Sequence, residues 1–153
     1  MNKKVIIGNF KMNLLPNEVV LYIENLKKDI KSNNEIVLCV PYVDIPYASN
    51  IVNDTNIYIG AQNMYSREEG AYTGEISVKM LKSIKTDYVL LGHYERRLYF
   101  NETEEEINKK QGRRGFIMGE YMQFSAKTKN EAITKACIEL GVSSDQLDIQ
   151  VVS

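Results

Sequence analysis

The chain has 153 residues, 44% of them hydrophobic and 25% charged, with a formal net charge of -1, which is room for one ordinary domain or a domain with a small appendage. The charge gives no bulk attraction to nucleic acid or an anionic membrane. No apolar run approaches the roughly 18 residues of a bilayer span, and the opening MNKKVIIGNF lacks the apolar core and cleavage site of a secretory signal. A cytoplasmic globular protein is expected. Cys39 and Cys137 stand far apart with no CxxC spacing and no histidine at ligand distance, so two buried thiols are expected, not a disulfide framework or a zinc site.

Val5-Ile6-Ile7 is a compact apolar run ended by Gly8-Asn9, and Pro16-Asn17 opens a helix expected to run to about Ser32. Val19, Ile23, Leu26 and Ile30 recur at helical spacing, with Glu24, Lys27, Lys28 and Lys31 on the other faces. Asn33-Asn34 breaks that helix, Ile36 to Val40 reads as a second strand stopped by Pro41, and a short helix is expected around Pro46 to Val52. Ile57 to Gly60 reads as a third strand, and Ser77 is placed to cap a helix carrying Val78, Leu81 and Ile84. The fourth strand, Tyr88 to Leu91, ends at Gly92, followed by His93, the only histidine in the chain. Glu95, Arg96 and Arg97 then read as a charged loop, and Thr103 with the carboxylates after it as a helix start.

These strands are continuous apolar runs separated by helical segments, the pattern of a parallel sheet covered on both faces. The fold class expected is therefore α/β, with four β/α units over residues 1–110. Asn9, Lys11, Asn63, His93 and Glu95 all fall just past strand carboxyl ends, the edge at which parallel α/β architectures bind ligands. Residues 111–119 break the rhythm and read as a junction. Beyond it, Met122, Phe124 and Ala126 alternate as in a strand. Thr128 to Glu131 is a capping-box pattern before a helix carrying Ala132, Ile133, Ala136 and Leu140, and Leu147, Ile149 and Val151 alternate again. Residues 120–153 are expected to form a small β-α-β module.

Four stretches, Gly8-Asn9-Phe10-Lys11-Met12-Asn13, Ala61-Gln62-Asn63, Gly70 to Ser77, and GHYERR from Gly92, together resemble the triosephosphate isomerase family. The resemblance covers residues 1–110 and implies half of a TIM-type (β/α)8 barrel. The family is usually homodimeric, needs no cofactor or metal, and interconverts dihydroxyacetone phosphate and glyceraldehyde 3-phosphate in glycolysis and gluconeogenesis. Carried onto this chain, it implies that Asn9 and Lys11 contact substrate, with the Lys11 cation favouring the phosphate and the developing enediolate. It implies that His93 is a neutral electrophile, with Lys11 the second catalytic group, and that Glu95 orients Lys11 from behind. Thr73 would reach into a neighbouring subunit, with Gln62 and Asn63 supporting that interface.

Tyr94 stands where the family motif has a serine. The resemblance stops before the second half of the barrel, and with that half go the glutamate base, the lid loop and the phosphate-cradling glycines. Glu120, Glu131 and Glu139 follow no barrel-type strand and are not expected to replace the base. The chain by itself is then expected to be inactive and to self-associate through open barrel edges or the third loop.

Tyr121 to Thr128, Glu131-Ala132-Ile133 and Leu140-Gly141-Val142 resemble the small N-terminal domain of the Jag family of bacterial RNA-binding proteins, over residues 118–153. This part has no GxxG loop and no aromatic, basic sheet face, so direct nucleic-acid binding is not expected. The alternative function is accordingly a fusion or interaction protein whose C-terminal module binds a protein partner. Arg113-Arg114 can be encoded AGG-AGG, a ribosome-binding sequence, ahead of Met118, which suits an in-frame fusion of two genes.

Overall fold

The computed structural model describes residues 5–31 and 33–112. The module expected over 120–153, Cys137, Glu120, Glu131, Glu139 and all but the first two residues of the expected junction lie outside them. Four strands, β1 (Val5–Asn9), β2 (Glu35–Val40), β3 (Ile57–Ala61) and β4 (Tyr88–Val89), form one parallel sheet in the order β1-β2-β3-β4. Between them run α1 (Pro16–Asp29), α2 (Ile45–Ile51) and α3 (Val78–Ser83), and α4 (Tyr94–Tyr99) and α5 (Glu104–Gln111) follow β4.

Each boundary has a local cause. Pro16 sits in the first turn of α1, where its missing N–H costs nothing, and the Glu18 carboxylate accepts from the Leu15 N–H at 2.8 Å. That helix ends at Asp29, short of the expected Ser32, because Ile30 is already extended (ψ 118°) while its N–H closes the last turn on the Leu26 carbonyl. Ser77 Oγ accepts from the Met80 N–H at 3.3 Å and starts α3 as expected. Thr103 and Glu106 form a full capping box at the start of α5, their side chains each accepting the other's backbone N–H. The charged stretch after His93 is not a loop: residues 94–99 are helical, and His93 caps them. The fourth strand is also shorter than expected. Leu90 still donates to the Ala61 carbonyl at 2.8 Å, and Gly92 then turns the chain at φ +68°, a conformation open to glycine.

One face of the sheet packs on the helices. Val19, Ile23 and Leu26 of α1 and Leu81 of α3 join Ile36, Leu38, Val40, Ile57, Ile59 and Val89 in a single apolar core. The concave face carries the alternate residues Val37, Cys39, Tyr88 and Leu90, with Val5, Ile7 and Tyr58 packed against them. Position 60 on this face must be glycine, since a Cβ there would lie 2.6 Å from Cys39 Sγ. Cys39 is buried and its thiol is pushed up to about 12 by desolvation, as suits an inert core thiol.

Asp44, at the start of α2, is a cost in this core. It is fully buried, caps nothing with its side chain, and neither carboxylate oxygen has a hydrogen-bond partner. Burial raises its carboxyl above the ordinary 3.8. The folded state therefore holds the Asp44 proton more tightly than the unfolded chain does, and stability falls as pH rises from about 3.8 through the raised value. Asp44→Asn is expected to stabilise the protein by about 1 kcal/mol at pH 7, with the gain vanishing once pH drops below the ordinary carboxylate range. Urea midpoints of both proteins across that range measure it.

Candidate active site

The carboxyl ends of β1 and β4 bring Asn9, Lys11, His93 and Glu95 to one rim of the sheet. Asn9 is the last residue of β1, and its Oδ1 accepts from the Lys11 N–H at 2.9 Å. That turn holds Lys11 at φ +52°, a left-handed conformation uncommon for a residue with a side chain. From the end of β3, Gln62 Nε2 donates to the Lys11 carbonyl at 2.8 Å and to the Cys39 carbonyl at 3.0 Å. Two side chains thus fix an otherwise strained backbone, which sets where the Lys11 ammonium points.

The ammonium reaches Glu95. Lys11 Nζ lies 2.8 Å from Glu95 Oε1, with the lysine side chain 29% and the glutamate 36% exposed. The pair lies at the solvent edge, so a ligand can compete for the cation. Glu95 also serves His93: its backbone N–H donates to His93 Nδ1 at 3.3 Å, and its Oε2 stands 3.6 Å from the same nitrogen. In that hydrogen bond His93 Nδ1 is the acceptor. His93 is buried at 7% exposure. Glu95 thus lies against both groups. Tyr94 is 59% exposed and does not crowd the imidazole aside.

Thr73 lies at the exposed tip of the loop between β3 and α3, where the Tyr65 and Tyr72 rings meet at a tilt with centroids 4.7 Å apart and the Tyr65 N–H donates to the Ile76 carbonyl at 2.8 Å. The loop is a built projection. Asn63 is buried at its base and accepts from Lys110 Nζ at 2.9 Å. Lys110 also pairs with Glu102, which Arg96 approaches at 3.4 Å. This buried group joins α4, α5 and the third loop. Neither Glu102 nor Lys110 is singled out by the sequence reading above. A signal existed: Lys110 falls three residues after Ile107, on the one buried face of α5. Among the described residues no group of three or more His, Cys, Asp and Glu could hold a metal ion, and no helix is long and apolar enough to cross a membrane.

Four parallel β/α units with Lys11, Glu95 and His93 at the strand carboxyl ends are part of a TIM-type barrel. The family model described as triosephosphate isomerase matches residues 4–114, and the chain belongs to that family. It is 47% identical over 111 residues to triosephosphate isomerase of Alkaliphilus oremlandii, covering 72% of this chain and 45% of that protein. To the enzyme of Caldanaerobacter subterraneus subsp. tengcongensis it is 49% identical over 113 residues, with the same two coverages. The crystal structure of triosephosphate isomerase from Bartonella henselae superposes with a TM-score of 0.69 at 32% identity, over 76% of this chain and 49% of that one. The chain thus spans about half the length of the curated relatives it matches. A second family model, described as Jag N-terminus, matches residues 124–153.

Proposed function

We propose that residues 1–110 are the half of an isomerase site that binds a triose phosphate and stabilises its enediolate, without the half that moves the proton. The observation that carries this reading is the Lys11–Glu95–His93 group at the rim. Isomerisation of dihydroxyacetone phosphate to glyceraldehyde 3-phosphate takes a proton from the carbon beside the carbonyl and leaves negative charge on the carbonyl oxygen. The Lys11 ammonium and His93 Nε2–H are a cation and a neutral donor suited to that oxygen, and the Asn9 turn and Gln62 hold Lys11 at its post. Glu95 is already engaged with both and serves to position them. In this reading no glutamate in the chain acts as base, and the chain needs no cofactor. The homodimer contact of the family is assigned to Thr73, backed by Gln62 and Asn63. Assay of isomerase turnover beside His93→Gln is the test.

A second reading is favoured by the match of residues 124–153 to Jag N-terminus. Residues 120–153 are then a separate module after a junction at 111–119, and they bind a protein partner while the half barrel is carried along. A pull-down with the whole chain and with a chain ending at Gly112 separates the readings. A partner lost with the tail supports the second one, and a partner retained by the shorter chain removes it.

A further inference from the structure

The sheet order leaves β1 and β4 each paired on one side only among the described residues. The direction of the free side of β1 follows from one hydrogen bond. The Phe10 N–H donates to the Cys39 carbonyl at 2.9 Å, so Phe10 faces β2. Amides alternate along a parallel strand, so Ile6 and Gly8 face β2 as well, while Val5, Ile7 and Asn9 turn their N–H and C=O groups away from it. This edge carries no charge, no proline and no bulge in Val5-Ile6-Ile7-Gly8-Asn9, none of the devices that keep an edge strand from pairing. The side chains of Val5 and Ile7 are half-buried at the rim of the concave face. The centre of that face is already closed, with Val37 0% and Cys39 1% exposed, so the edge and its rim are what is offered.

We propose that a second copy of this chain occupies that edge, two half barrels closing into one eight-stranded barrel. A two-fold rotation about the barrel axis keeps every strand parallel and lays β4 of each copy along β1 of the other, so both open edges are used at once. The strand count fits: the four strands among the described residues make eight in two copies, the number that closes a barrel with side chains filling its interior. The inference rests on the half-site reading above for the chain's architecture, and not on any turnover.

Sedimentation equilibrium of the full chain over a range of concentrations is the test. The expected mass is twice 17.5 kDa, and Ile7→Pro is expected to weaken the dimer at least tenfold. That proline removes an outward amide and leaves the β1–β2 ladder intact. Thr73→Glu, which breaks the third-loop contact assigned above, is expected to leave a species of that mass and to remove only a larger assembly. Amide exchange on the unsubstituted protein covers the case in which the proline variant does not fold. The Ile7 amide is expected to gain protection as concentration drives dimer formation. A monomer overturns the inference, as does a dimer that Thr73→Glu dissociates and Ile7→Pro does not. An Ile7 amide that exchanges freely in the dimer overturns it too, and so does one equally protected at every concentration, which would place a segment of the same chain on the edge. Isomerase turnover by the chain would instead overturn the half-site reading, whatever the mass.

Discussion

The purified 153-residue chain incubated with glyceraldehyde 3-phosphate is expected to show isomerase turnover no higher than its His93→Gln variant. The reason lies in what the rim does and does not hold. In the proposed reading Lys11 and His93 stabilise charge on a carbonyl oxygen, and that charge appears only when a base removes the neighbouring proton. Glu95, the one carboxylate at the rim among these groups, already accepts from Lys11 at 2.8 Å, and its own N–H caps onto His93 Nδ1. A general base is worth about 10² to 10⁴ in rate, and an open site also leaves Lys11 and Glu95 partly hydrated, which weakens their field. A chain retaining only the electrophilic half therefore falls below the whole enzyme by at least that factor. If turnover is found and His93→Gln abolishes it, a carboxylate from this chain or a bound partner completes the site. If turnover is found and the variant keeps it, a contaminant is responsible.

Removing the Lys110 ammonium is expected to be the most damaging single change to the fold. Lys110 and Glu102 have side chains only 7% and 4% exposed, and the lysine also donates to Asn63 Oδ1. Glu102 depends on this partner, since Arg96 approaches it only at 3.4 Å and its Oε2 is buried without a hydrogen bond. Lys110→Ala strands a carboxylate in the interior, which costs about 3–5 kcal/mol, a large share of the ~5–15 kcal/mol by which a domain is stable. The double variant Lys110→Met with Glu102→Gln removes both charges and is expected to recover more than half of that loss. Chemical unfolding of the three proteins decides it. A single variant within ~1 kcal/mol of the parent would mean that the pair is hydrated in solution. The same variant is expected to loosen the third loop, because Asn63 anchors its base.

Most of the architecture was legible because its causes are local. Val5-Ile6-Ile7, Ile36 to Val40 and Ile57 to Gly60 are apolar on both faces, which only a strand covered on both sides requires. Of the expected α1 stripe, Val19, Ile23 and Leu26 form the buried face, while Ile30 is the half-buried residue that ends the helix. Caps at Ser77 and Thr103 are read from their hydroxyls and the residues three positions on. The errors have physical causes as well. Residues 94–99 looked like a loop because charge is dense and no apolar face repeats, and indeed none of them is buried. What makes them helical is a cap from His93, a residue type seldom read as one.

By itself, then, the sequence determined the β/α rhythm of residues 5–112, the strand ends at which Asn9, Lys11 and His93 stand, and the motifs that mark the family. Those features depend on residues a few positions apart. The tertiary structure alone decided that Gln62 holds the Lys11 backbone. It also decided that Lys110 reaches Asn63, 47 positions away, and that Asp44 is buried without a partner. Each of these is a polar contact, or the lack of one, between separate β/α units. Such pairings follow from strand order, register and the depth at which a side chain ends, which no local spacing encodes.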